Sequence, residues 1–285
     1  MLETIIQGIL LGGLYCLFAQ GLSIMFGVMR LTNIAHGDFI ILAAFCAIAL
    51  APMVSGSPLI TALVLLPLSA ALGYALQSGV LNRALSKDPL PALVVTFGLA
   101  IVIQNGLQEI FSADPRSLPS DGLNTQSFDV LGLTVGTLPL MIFAAAVLCT
   151  VALQAIFSYT SMGRAFRAVS DDPQIAGLMG MDANRVYALA TALAFAVIAL
   201  AGVFQALRTT VAPADGPMLL LFAFEAVIIG GMGSFWGTFV GAIVLGVAQQ
   251  IGFYFDPGWG LWFGHLVFLV VLVIRPQGLF PKTKG

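Results

Sequence analysis

Residues 5–28 read Ile5-Ile6-Gln7-Gly8-Ile9-Leu10-Leu11-Gly12-Gly13-Leu14-Tyr15-Cys16-Leu17-Phe18-Ala19-Gln20-Gly21-Leu22-Ser23-Ile24-Met25-Phe26-Gly27-Val28, without one charged side chain. A helix of that length is about 36 Å long, enough to cross a hydrocarbon core of roughly 30 Å. Met1-Leu2-Glu3 in front of it has no basic flank, and the run is longer than a signal peptide's apolar core. It is therefore expected to be a retained membrane span.

The pattern recurs along the chain. Further spans are expected near 58–81, 91–111, 137–157, 186–207, 236–254 and 258–274. Two more are irregular. The 34–51 segment is entered through the polar run Asn33-Ile34-Ala35-His36-Gly37-Asp38, and 218–231 is too short to cross unaided. Such segments are where transporters keep broken helices. The expected fold is an all-α, polytopic transmembrane bundle of eight or nine spans, one or two of them broken or short. It forms one transmembrane domain over residues 1–285.

Composition agrees. Apolar residues make up 59% of the 285 and charged residues only 8%, and the mean hydropathy is +1.02. Ordinary soluble proteins carry about 25% charged residues, so much of this surface must face lipid. A soluble enzyme is excluded, and a net charge of −2 gives no basic footprint for nucleic acid. Cys16, Cys46 and Cys149 all lie in apolar runs and read as small buried hydrophobes.

The basic residues set an orientation. With the C-terminus in the cytoplasm, Arg30, Arg83, Lys87, Arg164, Arg167, Arg185, Arg275, Lys282 and Lys284 fall inside, and only Arg116 and Arg208 fall outside. Two loops then matter. The outer loop, 112–136, holds Pro115, Pro119, Gly122, Asn124 and Asp129, and reads as a connection or a small cap. The inner loop, 158–185, carries stronger signals. A helix over 164–169 stops at Asp171-Asp172-Pro173. Asp172 is a good N-cap, Pro173 suits the first helical position, and Gly180 closes a short helix over 174–179. Asp182 caps the next element. Ile175, Leu178 and Met179 share one side of the short helix, a shape that suits a partner's groove or a rest on lipid headgroups. Its carboxylates and lack of basic residues argue against anionic lipid.

Several chemistries have no support. None of the lysines stands in a Gly-Lys-Ser/Thr phosphate loop, and His36 and His265 belong to no metal or triad pattern. No cofactor or metal is expected. The polar groups inside spans are the functional flags, because charge at the bilayer centre is expensive. Glu225, in Leu219–Ile229, is expected to line a path or pair inside the bundle, with a snorkelling carboxylate as the alternative. Asn33, His36 and Asp38 form a second cluster, either lining a cavity or capping a helix through Asn33. His265, beside Trp259 and Trp262, reads as part of an interfacial aromatic belt. Glycine is abundant, 31 residues, and Gly8/Gly12 and Gly237/Gly241 form G-x-x-x-G pairs that permit close helix packing and give slight support to self-association.

Three stretches resemble the signatures of the branched-chain amino acid ABC importer permeases. They are Gly21–Arg30 followed by Asn33–Asp38; Gly163-Arg164-Ala165-Phe166-Arg167-Ala168 with Asp171, Asp172, Ala176 and Gly180; and Ala226–Ser234 followed by Gly237 and Gly241. The closing Arg275-Pro276-Gln277-Gly278-Leu279-Phe280 also fits, and the chain looks like the shorter of the two permease types. The resemblance implies a subunit of the bacterial inner membrane without a nucleotide site of its own. Its partners would be a second, homologous permease, two ATP-binding subunits and a periplasmic solute-binding protein. Arg164, Arg167, Asp171, Asp172, Ile175, Ala176, Gly177 and Gly180 would then couple to the ATPases, while Asn33, His36, Asp38 and Glu225 are path candidates by polarity alone. The family's solutes include urea, short amides and aromatic acids beside branched-chain amino acids, and no residue here separates them. The rivals are a proton-driven transporter with His36, Asp38 and Glu225 as relay, and a membrane-embedded enzyme, for which no catalytic constellation is visible.

Overall fold

The computed structural model describes residues 1–280 apart from 55–56, 86–87, 120–121, 123–125 and 131–132. The long apolar runs become helices because lipid leaves the backbone no other partner than itself. These are α1 (Leu2–Met29), α2 (His36–Leu50), α3 (Pro58–Leu76), α4 (Asn82–Ala84), α5 (Leu90–Phe111), α6 (Thr137–Tyr159), α7 (Ser161–Asp171), α8 (Pro173–Leu178), α9 (Ala183–Arg208), α10 (Gly216–Gly230), α11 (Phe235–Phe255) and α12 (Gly260–Ile274). A π turn, Gln77–Leu81, joins α3 to α4 into one span. Eight helical segments among the described residues are long and apolar enough to cross a membrane, and α12 is a shorter apolar helix.

The 112–136 loop does more than connect. Ser127–Val130 and Leu133–Gly136 form an antiparallel hairpin, β1 and β2. Arg116 exchanges two backbone hydrogen bonds with Val211, and Leu118 N–H donates to the Ala206 carbonyl. Asp121 and Asn124 lie outside the described residues.

Two segments that the sequence marks as irregular are helices of 15 residues, here termed half-helices. Each reaches 18 residues, long enough to cross, only with an adjoining 3₁₀ turn, Ala51–Met53 or Pro213–Asp215, which corrects the reading of 218–231 as too short. α1 descends to Met29 and the chain re-enters without helix over 30–35, so that α2 begins deep inside the span. His36 Nε2 lies 2.7 Å from the Phe18 carbonyl, in the middle of α1. α10 starts the same way from the opposite face, after residues 209–215. The two N-termini meet: a Cβ on Gly37 would lie 1.9 Å from the Gly216 carbonyl oxygen. About 20 Å of α10 then separates this junction from the turn at Gly231.

The packing repeats upside down around that junction. α1 lies along α11, and α9 lies along α3; α1 also touches α10, and α9 touches α2. Glycines make these approaches possible. Gly8 and Gly12 meet the backbone of Val247 and Ile243, Gly202 meets that of Ile40, and Gly237 and Gly241 meet the carbonyls of Gly230 and Ala226. Both G-x-x-x-G pairs are thus occupied within the chain, which removes them as support for self-association. α1, buried along most of its length, is the axis of the core, with Cys16, Leu17, Phe18, Ala19, Ile24 and Met25 sealed.

Among the described residues, Arg30, Arg83, Arg164, Arg167, Arg185 and Arg275 gather at one face, and Arg116 and Arg208 at the other. The contacts fix this. Ser170 Oγ donates to the Gly27 carbonyl (2.7 Å), Asn82 donates to that of Asn184 (3.2 Å), and Leu279 N–H donates to that of Ile229 (2.9 Å). Lys87, Lys282 and Lys284 lie outside the described residues.

Candidate functional site

The arginine-rich face carries the 158–185 segment. α7 begins earlier than the expected 164, at Ser161, because Thr160 Oγ1 accepts from Gly163 N–H (3.0 Å). It is strongly two-sided. Gly163, Phe166 and Val169 are buried, and Phe166 packs its ring 5.0 Å from Phe157, which meets Phe235 at 4.7 Å. Arg164 stays exposed. Arg167, also exposed, reaches back to donate to the Phe157 carbonyl. α7 is therefore latched to α6 and, through Ser170, to α1.

Asp172 turns the chain and caps α8, its Oδ1 accepting from Gln174 N–H (2.8 Å) and Ile175 N–H (3.0 Å). The helix then presents large apolar side chains to solvent: Ile175 is 61% exposed, Leu178 87% and Met179 77%. Only Ala176 points inward. It is an anchor under α8 and offers no contact surface, unlike the other members of the expected set. A Cβ added at Gly177 would meet nothing within 4 Å, so the outer side is open. Gly180 ends the helix at φ +83, a left-handed conformation that favours glycine. Asp182 restarts α9, accepting from Asn184 and Arg185 N–H.

The path candidates divide. Asn33, His36 and Asp38 are brought together, buried, at the half-helix junction. Asn33 is not in a helix and does not cap one directly; its Oδ1 accepts from Ala35 N–H (3.0 Å) in an Asx turn that shapes the re-entry. Asp38 sits in the first turn of α2, beside Gly216 at the start of α10, and accepts from Gln104 of α5 (2.8 Å). A carboxylate facing two helix N-termini is favoured by both dipoles.

Glu225 is elsewhere. It lies nine residues beyond Gly216, about 13 Å further along α10. It is 1% exposed, so it does not snorkel, and Oε1 lies 2.5 Å from His265 Nδ1 on α12, the imidazole N–H donating. His265 also stacks on Phe222. This corrects the aromatic-belt reading of His265. Trp259, Trp262 and Phe263 do form a ring cluster at the edge, but His265 turns inward to answer a carboxylate that burial would otherwise leave without a partner. Sequence reasoning also misses Tyr15, Gln20 and Gln249, polar groups on buried stripes of α1 and α11. Tyr15 donates to Gln249 (2.5 Å), and Gln20 donates to Thr150 (3.0 Å) and to the Phe235 carbonyl (3.1 Å). Their signal is a polar residue at a helical position within an apolar run, single at Gln20 and doubled at Gln249-Gln250. Among the described residues no group of three or more potential metal ligands occurs.

Comparison with known proteins fits this arrangement. The family model described as "Branched-chain amino acid transport system / permease component" matches residues 4–275. The Escherichia coli high-affinity branched-chain amino acid transport system permease protein LivH is 26% identical, over 99% of this chain and 96% of its own. BraD of Pseudomonas aeruginosa, described in the same words, is 28% identical over 99% and 96%. LivM of Salmonella typhimurium is 27% identical over 95% of this chain but 68% of its own. Among solved structures, a chain of PsaBC from Streptococcus pneumoniae in complex with Fab superposes with a TM-score of 0.51 at 12% identity, covering 98% of this chain and 94% of that one. At that identity the likeness speaks to the fold alone. With the family model spanning nearly every helix described above, the chain belongs to the permease components of branched-chain amino acid transport systems.

Proposed function

We propose that this chain is one permease subunit of an ATP-driven importer of the bacterial inner membrane, carrying branched-chain amino acids by alternating access. The observation that carries the coupling part is the α7–α8 unit. A helix capped at both ends, latched to α1 and α6, holds Ile175, Leu178 and Met179 in water with only Ala176 turned inward. Exposing three large apolar side chains on a rigid, arginine-flanked platform is what a groove in a partner requires. The partners are two ATP-binding subunits at this face, which is cytoplasmic, a second permease related to LivM, and a periplasmic solute-binding protein at the opposite face.

The half-helix junction is the place where a solute path would be interrupted. Asn33, His36, Asp38 and Gln104 gather there, while Glu225 and His265 tie α12 to α10. A proton relay through His36, Asp38 and Glu225 is disfavoured by the distance along α10 and by the separate pairing of Glu225. The test is reconstitution in liposomes with and without the partner subunits. Leucine uptake that needs ATP and the ATP-binding subunits, and that survives a protonophore, supports the reading. Uptake by this chain alone that collapses with the proton gradient overturns it.

A further inference from the structure

The span made by α3, the π turn and α4 ends at the membrane edge where α9 begins. Between the two ends lies a pocket of about 330 Å³ lined by Ser78, Asn82, Arg83, Asn184 and Arg185. Its floor is built. Buried Gln77 donates to Asn82 Oδ1 (2.9 Å) and accepts from Thr191 Oγ1 (2.8 Å), and Asn82 donates to the Asn184 carbonyl (3.2 Å). These bonds pin the two helix ends together beneath the opening. π turns recur at functional sites, and this one sets Ser78, Gly79 and Val80 on the exposed, lipid-facing side.

Charge selects the ligand. Arg185 pairs with Asp182 at 3.2 Å, and both remain half-exposed or more. Arg83 has no ion pair among the described residues. The pocket thus holds two guanidiniums against one carboxylate, together with hydroxyl and amide donors. That set matches a phosphate oxyanion, which a guanidinium grips through two parallel hydrogen bonds. The opening lies at the end of a span whose outer side carries exposed Leu68, Leu72 and Val80, a surface for acyl chains. We propose that this pocket binds the phosphate headgroup of an acidic phospholipid, bridging the end of α3–α4 to the start of α9. Basic pockets between transmembrane helices take such headgroups by the same electrostatics.

The test is lipid retention. The purified chain is placed in phosphatidylcholine nanodiscs containing one part in five phosphatidylglycerol, washed, and its bound lipid is weighed by native mass spectrometry. The wild type should keep phosphatidylglycerol in preference to phosphatidylcholine. Arg83→Gln and Arg185→Gln should each weaken retention about fivefold, and the double variant about 25-fold. The double Arg→Lys variant keeps the charge but not the guanidinium fork, so it should retain more than the double Arg→Gln variant and less than wild type, which separates lost charge from lost folding. Arg275→Gln, at the same edge but outside the pocket, should behave as wild type. Equal retention of the two lipids overturns the proposal, and so does an equal loss in Arg275→Gln, which would mean only diffuse attraction. Inorganic phosphate that binds in phosphatidylcholine discs and displaces phosphatidylglycerol would make this a free-phosphate site and also overturn it.

Discussion

Replacing Gly37 by alanine tests the half-helix junction directly. The new methyl would stand 1.9 Å from the Gly216 carbonyl oxygen and 2.7 Å from Leu220 N, both backbone atoms of α10. Cβ atoms essentially never approach closer than 3.0 Å. No rotamer relieves the clash, so α2 and α10 must part by roughly 1 Å, and overpacking of this kind costs about 3 kcal/mol or more. For a chain of this size that corresponds to a fall in Tm of about 6–12 °C. The control is Gly98→Ala on α5, where a Cβ meets nothing within 4 Å. Alanine's better helix propensity, worth up to about 1 kcal/mol, should leave that variant unchanged or slightly firmer. Thermal unfolding in detergent and leucine uptake in reconstituted vesicles read both. If Gly37→Ala unfolds within a degree of wild type and transports normally, the two N-termini do not abut and the inverted arrangement is wrong.

Other outcomes follow from the same contacts. Ile175→Ala with Leu178→Ala should leave permease unfolding unaltered but weaken co-purification of the ATP-binding subunits. Each side chain, if covered in the complex, contributes about 1.5–3 kcal/mol. Gly177→Trp should act the same way, and normal transport by either variant would sink the docking role of α8. Phe166→Ala should cost about 3–5 kcal/mol of permease stability, seen as a lower Tm, because it empties the contact with Phe157 beneath α7. Glu225→Gln should keep transport by preserving a hydrogen-bond acceptor for His265, whereas Glu225→Ala should destabilise by about 1–3 kcal/mol. A severe transport loss in Glu225→Gln at normal expression would instead place the carboxylate on the path. Arg164→Glu should impair association with the ATP-binding subunits more at low salt than at high salt, and salt-independent binding would exclude a charge role.

The spans are readable because composition alone forces them: a run such as Ile5–Val28 has no soluble alternative. The coupling unit is readable for a different reason. Its stops are local, and Asp172, Pro173, Gly180 and Asp182 each act within three residues of their own position. The junction is only half legible. The polar run from Asn33 to Asp38 announces an irregularity, but its cause is the start of α10, far along the chain, and no local pattern encodes that meeting. The same holds for His265. Its neighbours Trp259 and Trp262 speak for an interface, and only the placement of Glu225 on the facing helix draws the ring inward. Hairpin β1–β2 escapes notice because its alternating runs, Ser127-Phe128-Asp129-Val130 and Leu133-Thr134-Val135-Gly136, are only four residues each and stand in a turn-rich loop that otherwise reads as a connection.

The two half-helices also constrain how the chain can be made. α2 and α10 have only 15 residues each and reach the 18 of a short span only with their adjoining 3₁₀ turns, and the non-helical backbone at 30–35 needs protein around it at membrane depth. What closes over Gly37 is Gly216, so the amino-terminal helices have an unfinished seam until the carboxy-terminal half has been synthesised and inserted. Biogenesis of this permease is therefore a single event of the whole chain: its first half waits, open at the middle, for its second.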